Sequence, residues 1–574
     1  MTYRSRWSVD IPECSFPTFV FGDAKADLGS EPCFLDASHP GERLLTRSSF
    51  KLWSQRLAIG LRRHAHFQDG DRVVVFSGNS LAVPVAFFGI VMAGGVFSGA
   101  NPSHTARELA HQLRDSGASV VLCADVLVQT ALEAAKLCDL DPSRIFLLND
   151  TLFWEADPNE REPVTQGCRS WDALMAPEVK ARNYAWPTLD GPGDCDKTIA
   201  LNYSSGTTGM AKGVEITHRN YVANTLQLNF LSTLWPDHRE RTQKARWLCY
   251  LPLYHALAQT LYIACGLQRK IPVYLMAKFY LLEVLNNVQR FRITDLALVP
   301  PIAVALVKHP ATRTFDLSSI SAVTCGAAPL SRDICQRLEK VWDGKVNVKQ
   351  GWGMTEVTSS LLGWDPTQYS NSSGVGELNP NCEARIMQVV EKSDGTEEFI
   401  PVTQRGPDHT GELWVRGPNV MKGYWRNPSA TANTFVEDRE GRWLRTGDVA
   451  YVDHTGCFFI VDRIKELIKV KGNQVAPAEL EALILEHPDV VDVAVIGKLT
   501  EEGDEKPCAF VQKRPGATIT SKDIEELVRH RTARFKWLAG GVHWIDAVPK
   551  NPSGKILRRH LRDLARQKPS AERL

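Results

Sequence analysis

Short apolar runs rich in β-branched residues alternate, through most of the chain, with stretches whose apolar positions recur every three or four residues. Arg72–Phe76 (RVVVF), Ser119–Cys123 (SVVLC), Ile145–Asn149 (IFLLN), Arg246–Tyr250 (RWLCY) and Leu296–Pro300 (LALVP) belong to the first kind and read as strands. Thr105–Ser116 (TARELAHQLRDS) belongs to the second and reads as an amphipathic helix. Strand–helix alternation of this kind predicts an α/β class, with parallel sheets covered by helices. From about Cys382 to Val461 strands come closely spaced between Gly-containing turns (GELWVRGPN, HTGCFFIVD), which predicts a β-rich lobe.

The pattern changes again after Asp462-Arg463-Ile464-Lys465. A strand at Glu466–Val470, a helix at Ala478–His487 stopped by Pro488 and a strand at Val491–Ile496 follow. A second helix is expected from Ser521 to about Phe535, with Thr520 as its N-cap and Asp523 at its third position. The expected organisation is a large domain over 1–461, a hinge at 462–465 and a small mobile α+β domain over 466–574.

Leu81–Ala100 carries no charged residue and is long enough to span a bilayer. It also contains Pro84, Gly89, Gly94, Gly95 and Gly99. A buried helix over about Ala82–Ala93, ended by Gly94-Gly95 and followed by a buried strand, fits this punctuation better. No transmembrane segment is therefore expected.

At 574 residues the chain exceeds the roughly 250–300 residues at which single cores stop growing. Its 67 basic and 66 acidic residues nearly cancel, which points away from nucleic acid as a partner. The 13 cysteines form no C-x-x-C pair and read as free thiols of a reducing compartment. The start, MTYRSRWSVDIPECSF, lacks the apolar core of a secretory signal, so a cytoplasmic enzyme is expected. Glu572-Arg573-Leu574 is a weak likeness of a peroxisomal S-K-L end, with Glu in place of the small residue.

The chemistry concentrates in a few segments. Tyr203-Ser204-Ser205-Gly206-Thr207-Thr208-Gly209-Met210-Ala211-Lys212-Gly213 follows a strand at Ile199–Tyr203. Its hydroxyl and backbone N–H donors can wrap a phosphate chain, and Lys212 adds a cation. The G-x-x-x-x-G-K-[ST] spacing of a Walker loop is not met. Farther on stand Gln350-Gly351-Trp352-Gly353-Met354-Thr355-Glu356, Trp443-Leu444-Arg445-Thr446-Gly447-Asp448, the charged run from Asp462 to Glu481, and Pro549-Lys550-Asn551-Pro552-Ser553-Gly554-Lys555. Each segment alone has a bland reading as a turn, a solvated strand or a basic tail.

Together and in this order they resemble the adenylate-forming superfamily, which includes acyl-CoA synthetases, 4-coumarate–CoA ligases, beetle luciferases and peptide-synthetase adenylation domains. The resemblance spans almost the whole chain. It implies an ATP-dependent carboxylic acid–CoA ligase that passes through an acyl-adenylate, with ATP, CoA, Mg²⁺ and a small-molecule carboxylic acid as its partners. It assigns Ser204, Ser205, Gly206, Thr207, Thr208, Gly209 and Lys212 to the phosphates. Trp352, where the family commonly has Tyr, would stack on adenine beside Gln350 and Gly351; Thr355 would meet the α-phosphate. Glu356 and Thr208 would hold the metal. Asp448 and Arg463 would bind ribose, and Gln474 the nucleotide. Lys555 would stabilise the charge that builds at the α-phosphorus; after a domain swing about Lys465, Lys465 and Lys469 would face the adenylate, and Lys471 and Gly472 would lie where CoA passes. His255, Leu257, Gly326, Ala327 and Gln350 would line the acyl site. Leu257 stands where plant 4-coumarate ligases have a Tyr that meets the phenol, which favours an aryl or medium-chain acid of more apolar character.

Two other activities remain open on these residues. One is an acyl-adenylate former that loads a carrier protein, although little chain follows Lys555 to hold a fused carrier. The other is a non-catalytic nucleotide- or acyl-binding protein, which would not need Lys212, Glu356, Asp448, Arg463, Lys469 and Lys555 all together. An amino-acid activator would want an Asp near His255, and Leu253–Tyr262 offers none.

Overall fold

Arg72–Phe76 lies near the middle of an eight-stranded sheet in the computed structural model, which describes residues 1–64, 67–153, 167–189, 191, 193–204, 210–370, 373–392, 397–470, 473–500, 505–550 and 554–567. The strand order is Gly423–Tyr424, Lys212–Thr217, Thr198–Ser204, Val96–Ala100, Arg72–Phe76, Ala118–Ala124, Ile145–Leu148 and Arg169–Ser170. All neighbours from Thr198–Ser204 onward are parallel. A second, seven-stranded sheet runs Val348–Gln350, Ala322–Cys325, Asp295–Leu298, Trp247–Cys249, Val273–Leu275, Pro32–Asp36 and Leu44–Thr46. It is parallel except for its last pair.

The uncharged stretch Leu81–Ala100 is a buried helix, Ala82–Met92, followed by the strand Val96–Ala100. Gly94 takes φ 85° to make the turn between them, a conformation that favours glycine. Every residue of that helix is buried. Its Phe88 stacks on Phe16 with ring centroids 5.2 Å apart, and Phe87 meets Phe97 edge-on at 4.8 Å. Burying each such ring contributes roughly 1.5–3 kcal/mol. One apolar core joins the two sheets, with Val73, Val75 and Phe97 from the first and Leu248, Leu296 and Val323 from the second. Among the described residues no helix is long and apolar enough to cross a membrane. All 13 cysteines are free.

The β-rich lobe is an antiparallel sheet built from Glu383–Glu391, Glu397–Pro401, Gly411–Arg416, Phe435–Asp438, Gly441–Val452 and Phe458–Arg463. Tyr3–Arg4 adds an edge strand by pairing with Ala384 and Glu383, a pairing that no local pattern announces. The C-terminal residues hold their own core, with Ile468, Leu480, Val493, Val511 and Ile524 at its centre. Val490–Leu499, Glu505–Lys513 and Gly541–Trp544 form its main sheet.

Among the predicted boundaries that move, three have a visible cause. The strand expected over Leu296–Pro300 ends at Leu298, because Pro300 opens the helix Pro300–Lys308, where a missing N–H is harmless. The strand expected from Glu466 begins at Ile468, since the amides of Glu466 and Leu467 turn back to the carbonyl of Arg463. The helix from Ser521 stops at Arg531, where Thr532 becomes extended. Thr105 and Thr520 cap their helices with reciprocal bonds to Glu108 and Asp523.

Candidate active site

The C-terminal ends of the parallel strands open on a single cavity of about 790 Å³. Open α/β sheets gather ligands at this edge. Ser204, Gly326 and Gly351 line it from three strand ends, Glu356 from the following turn, and Arg463 and Lys555 from the C-terminal side. Gly353 permits the turn to close: a Cβ there would lie 1.7 Å from the carbonyl oxygen of Ser359.

Glu356 is buried at the phosphate-loop end. Its Oε1 accepts hydrogen bonds from Ser204 Oγ at 3.1 Å and from Tyr424 OH at 2.9 Å. Oε2 takes no hydrogen bond among the described residues. An acidic oxygen on the cavity suits a hard cation, which prefers carboxylate and hydroxyl oxygens. Lys212 pairs in register with Ser204 across the hairpin, and its Nζ lies 4.8 Å from the Tyr424 ring. Tyr424 was not foreseen from the sequence; it reaches Glu356 from an edge strand that pairs with Val214.

Asp448 is buried and held from two sides. Trp352 Nε1 donates to its Oδ2 at 2.8 Å, and Arg463 Nε lies 3.2 Å from its Oδ1. Oδ1 still receives no aligned hydrogen bond, so it keeps acceptor capacity for a hydroxyl. Burial raises the Asp448 carboxyl above its ordinary range, against the pull of Arg463, Trp352 and Lys555. Trp352 thus lines the cavity and also positions the carboxylate expected at ribose.

Lys555 lines the cavity next to Ile556, which bridges to Lys550. Gly554 takes φ 84° and packs on the opposite side: a Cβ there would stand 3.1 Å from Pro301 Cδ. Burial lowers the Lys555 ammonium below the usual lysine range, with Arg463 adding to the effect and Glu466, Asp448 and Glu356 opposing it. The basic residues that follow are not a solvated tail throughout. Arg559 is exposed, but Arg558 is buried against Glu466 at 2.7 Å, Glu481 and the carbonyl of Val495. This buried knot fixes the base of the Lys555 loop.

On the acyl side, His255 and Leu257 line the cavity with Gly326 and Ala327. Ala327 adopts φ 71°, a left-handed conformation at the strand end. His255 Nε2 is buried without a hydrogen-bond partner among the described residues. Burial pushes the His255 imidazole down to about 4, and the neighbouring His104 adds to this. His104, also on the cavity wall, was not singled out from the sequence, where it is only the residue before a helix cap. Gln350 lines the cavity as well. Its amide is fully engaged by the backbone of Leu330, accepting from N at 2.8 Å and donating to O at 2.9 Å. It clamps the Gly326–Leu330 segment.

Some predicted residues stand elsewhere. Lys465, Lys469 and Gln474 are exposed and do not line the cavity. Lys469 and Gln474 are register partners in a separate two-stranded ribbon. Ser205, Gly206, Thr207, Thr208, Gly209, Lys471, Gly472 and the Glu572-Arg573-Leu574 end lie outside the described residues.

Residues 25–425 match the AMP-binding enzyme family, and residues 479–555 match the AMP-binding enzyme C-terminal domain. The chain belongs to the AMP-binding, adenylate-forming enzyme family. Among curated members, the peroxisomal OPC-8:0-CoA ligase 1 of Arabidopsis thaliana is 35% identical over 98% of this chain and 96% of its own length. A 4-coumarate–CoA ligase 2 of Oryza sativa subsp. japonica is 36% identical over 98% of this chain and 94% of its own. Among solved family structures, ATP-bound MatB from Rhodopseudomonas palustris superposes with a TM-score of 0.75 at 26% identity, covering 96% of this chain and 99% of that one. Against the adenylate-forming family's common Tyr, this member carries Trp352, whose N–H reaches Asp448.

Proposed function

We propose that this enzyme is an ATP-dependent carboxylic acid–CoA ligase acting on an aryl or medium-chain acid. The observation that carries the reading is the convergence of Lys555, Arg463 and Glu356 on one cavity that continues into an apolar acyl lobe, with Asp448 buried behind Arg463 and Trp352. CoA ligases named among its relatives support the thiol acceptor.

The acid's carboxylate attacks the α-phosphorus of ATP, and pyrophosphate leaves. Lys555 lies where negative charge grows on the phosphoryl oxygens and binds that state more strongly than the ground state. Asp448 accepts from the ribose hydroxyls, with Trp352 and Arg463 fixing its orientation. Glu356, with Thr208, would hold Mg²⁺, whose charge offsets that of the phosphates. His255, neutral and buried, packs beside the acyl group. In the second half-reaction residues 466–574 rotate about 462–465, withdrawing Lys555 and bringing Lys469, Lys471 and Gly472 to the cavity for the CoA thiol. The exposure of Lys469 while Lys555 lines the cavity is what an adenylating arrangement requires.

The test is pyrophosphate release from ATP over a panel of aryl and fatty acids, with and without CoA. Acid-dependent release accelerated by CoA, with thioester formed, is the expected result. Release indifferent to CoA transfers the reading to a carrier-protein loader, and the absence of release with any acid overturns it.

A further inference from the structure

The acyl lobe has a charged end. The sheet register pairs Ala297 with Thr324 and Thr324 with Lys349, so these three side chains form one row across adjacent parallel strands. All three line the cavity. Ala297 and Thr324 are small, which leaves the space beside Lys349 open. Lys349 sits two residues before Gly351, roughly 7 Å deeper than the strand end where the carboxyl reacts.

The Lys349 ammonium donates to the carbonyls of Asp365 at 3.3 Å and Pro366 at 2.6 Å. The Asp365 carboxylate itself turns to Arg6 at 3.3 Å and Thr367 at 2.6 Å. Among the described residues no carboxylate forms an ion pair with Lys349. Arg241 also lines this end, stacked 3.9 Å over the Trp235 ring, with Lys349 Nζ 6.0 Å from the same ring. Arg241 has its own counter-charge in Asp237 at 2.8 Å. Lys349 makes no such ion pair; burial pushes it down to about 8, against the pull of the Asp365 carboxylate. A partly desolvated cation without an ion-paired carboxylate costs free energy, which a bound anion would offset. Leu228, Leu231 and Leu261 make the lobe's middle apolar.

We infer that the substrate acid carries a second anionic group, a carboxylate, at the end remote from the reacting carboxyl, and that Lys349 receives it. The inference rests on the ligase reading and deepens it: an apolar middle with a charge at each end. Lys349 touches the substrate's far end and sets specificity without touching the reacting atoms.

The experiment compares kcat/KM for acid-dependent pyrophosphate release within matched pairs: adipate with hexanoate, pimelate with heptanoate, suberate with octanoate, and 4-carboxyphenylpropanoate with phenylpropanoate. The wild-type enzyme should favour the diacid of at least one pair by about 10- to 100-fold, the scale on which a site built for a polar group rejects its analogue. Lys349→Met should abolish that preference and Lys349→Arg should keep most of it, both with an unchanged KM for ATP. A wild-type enzyme that prefers the monoacid in every pair overturns the inference without any variant, and so does a preference that survives Lys349→Met. No release with any of these acids, or with a wider acid panel, overturns the ligase reading itself and the inference with it.

Discussion

Asp448 and Arg463 face one another across the antiparallel strands Gly441–Val452 and Phe458–Arg463, with Oδ1 3.2 Å from Nε. The carboxylate proposed for ribose is thus tied to the first residue after Asp462, where the chain leaves the β-rich lobe. Trp352 completes the arrangement from the other side at 2.8 Å. Trp352→Phe removes one N–H and leaves a buried carboxylate oxygen without its donor, at a cost of about 1–3 kcal/mol. The KM for ATP should rise about tenfold, with a smaller change in kcat. An unchanged KM in pyrophosphate exchange would remove Trp352 from the nucleotide site.

Lys555 and Lys469 should fail in opposite half-reactions. Lys555→Ala should slow acid-dependent pyrophosphate exchange by about 10²–10³ and spare thioester formation from supplied acyl-AMP. Lys469→Ala should do the reverse. Loss of the same half-reaction in both variants rules out the domain swing.

His255, pushed down to about 4 by burial, is neutral across the physiological range. The acid limb of the wild-type rate profile should therefore show no step near the ordinary histidine value of about 6.5. His255→Gln should keep the shape of that limb while lowering kcat/KM for the acid. A wild-type step near 6.5 that His255→Gln abolishes would show a protonated imidazole at work.

Gly353→Ala places a Cβ against the backbone carbonyl of Ser359, which cannot move aside as a side chain could. The clash should cost several kcal/mol, in the upper range of single substitutions. Thermal unfolding should show a marked fall, and ATP binding should weaken because the turn carries Thr355 and Glu356. Wild-type stability in this variant would mean that the turn closes differently.

Asp462 gives a pH-dependent contribution of definite sign. Burial raises its carboxyl to about 6, against Arg558 and the amides of Ala478 and Arg463. The folded protein therefore binds a proton that the unfolded chain has lost, so this group's contribution to stability is greatest below pH ~4 and is lost as pH rises through about 6. Asp462→Asn should flatten that part of the stability–pH profile, read by urea unfolding. An unaltered slope would place the titration elsewhere.

Much of this molecule follows from local pattern. Arg72–Phe76 is a strand because five consecutive residues suit an extended, buried segment, and Ala82–Met92 is a helix because Gly94 ends it. The order of the motifs likewise identified the family, since Lys555, Asp448 and Glu356 are recognisable from their immediate neighbours. What sequence could not supply were relations between distant positions. Tyr424 meets Glu356 and Trp352 meets Asp448 only because separate sheets are packed together, and Arg558 is buried among Glu466, Glu481 and the Val495 carbonyl only because two helices pack on one strand of the C-terminal residues. That the Gln350 amide is bonded to the backbone of Leu330 is likewise a matter of tertiary packing. Lys349 belongs to none of the recognisable motifs, and only the register aligns it with Ala297 and Thr324 on the cavity wall. Local propensity acts over a few residues and is written in them. The register of parallel strands is set by crossovers many residues long, and that register decided which side chains share the site.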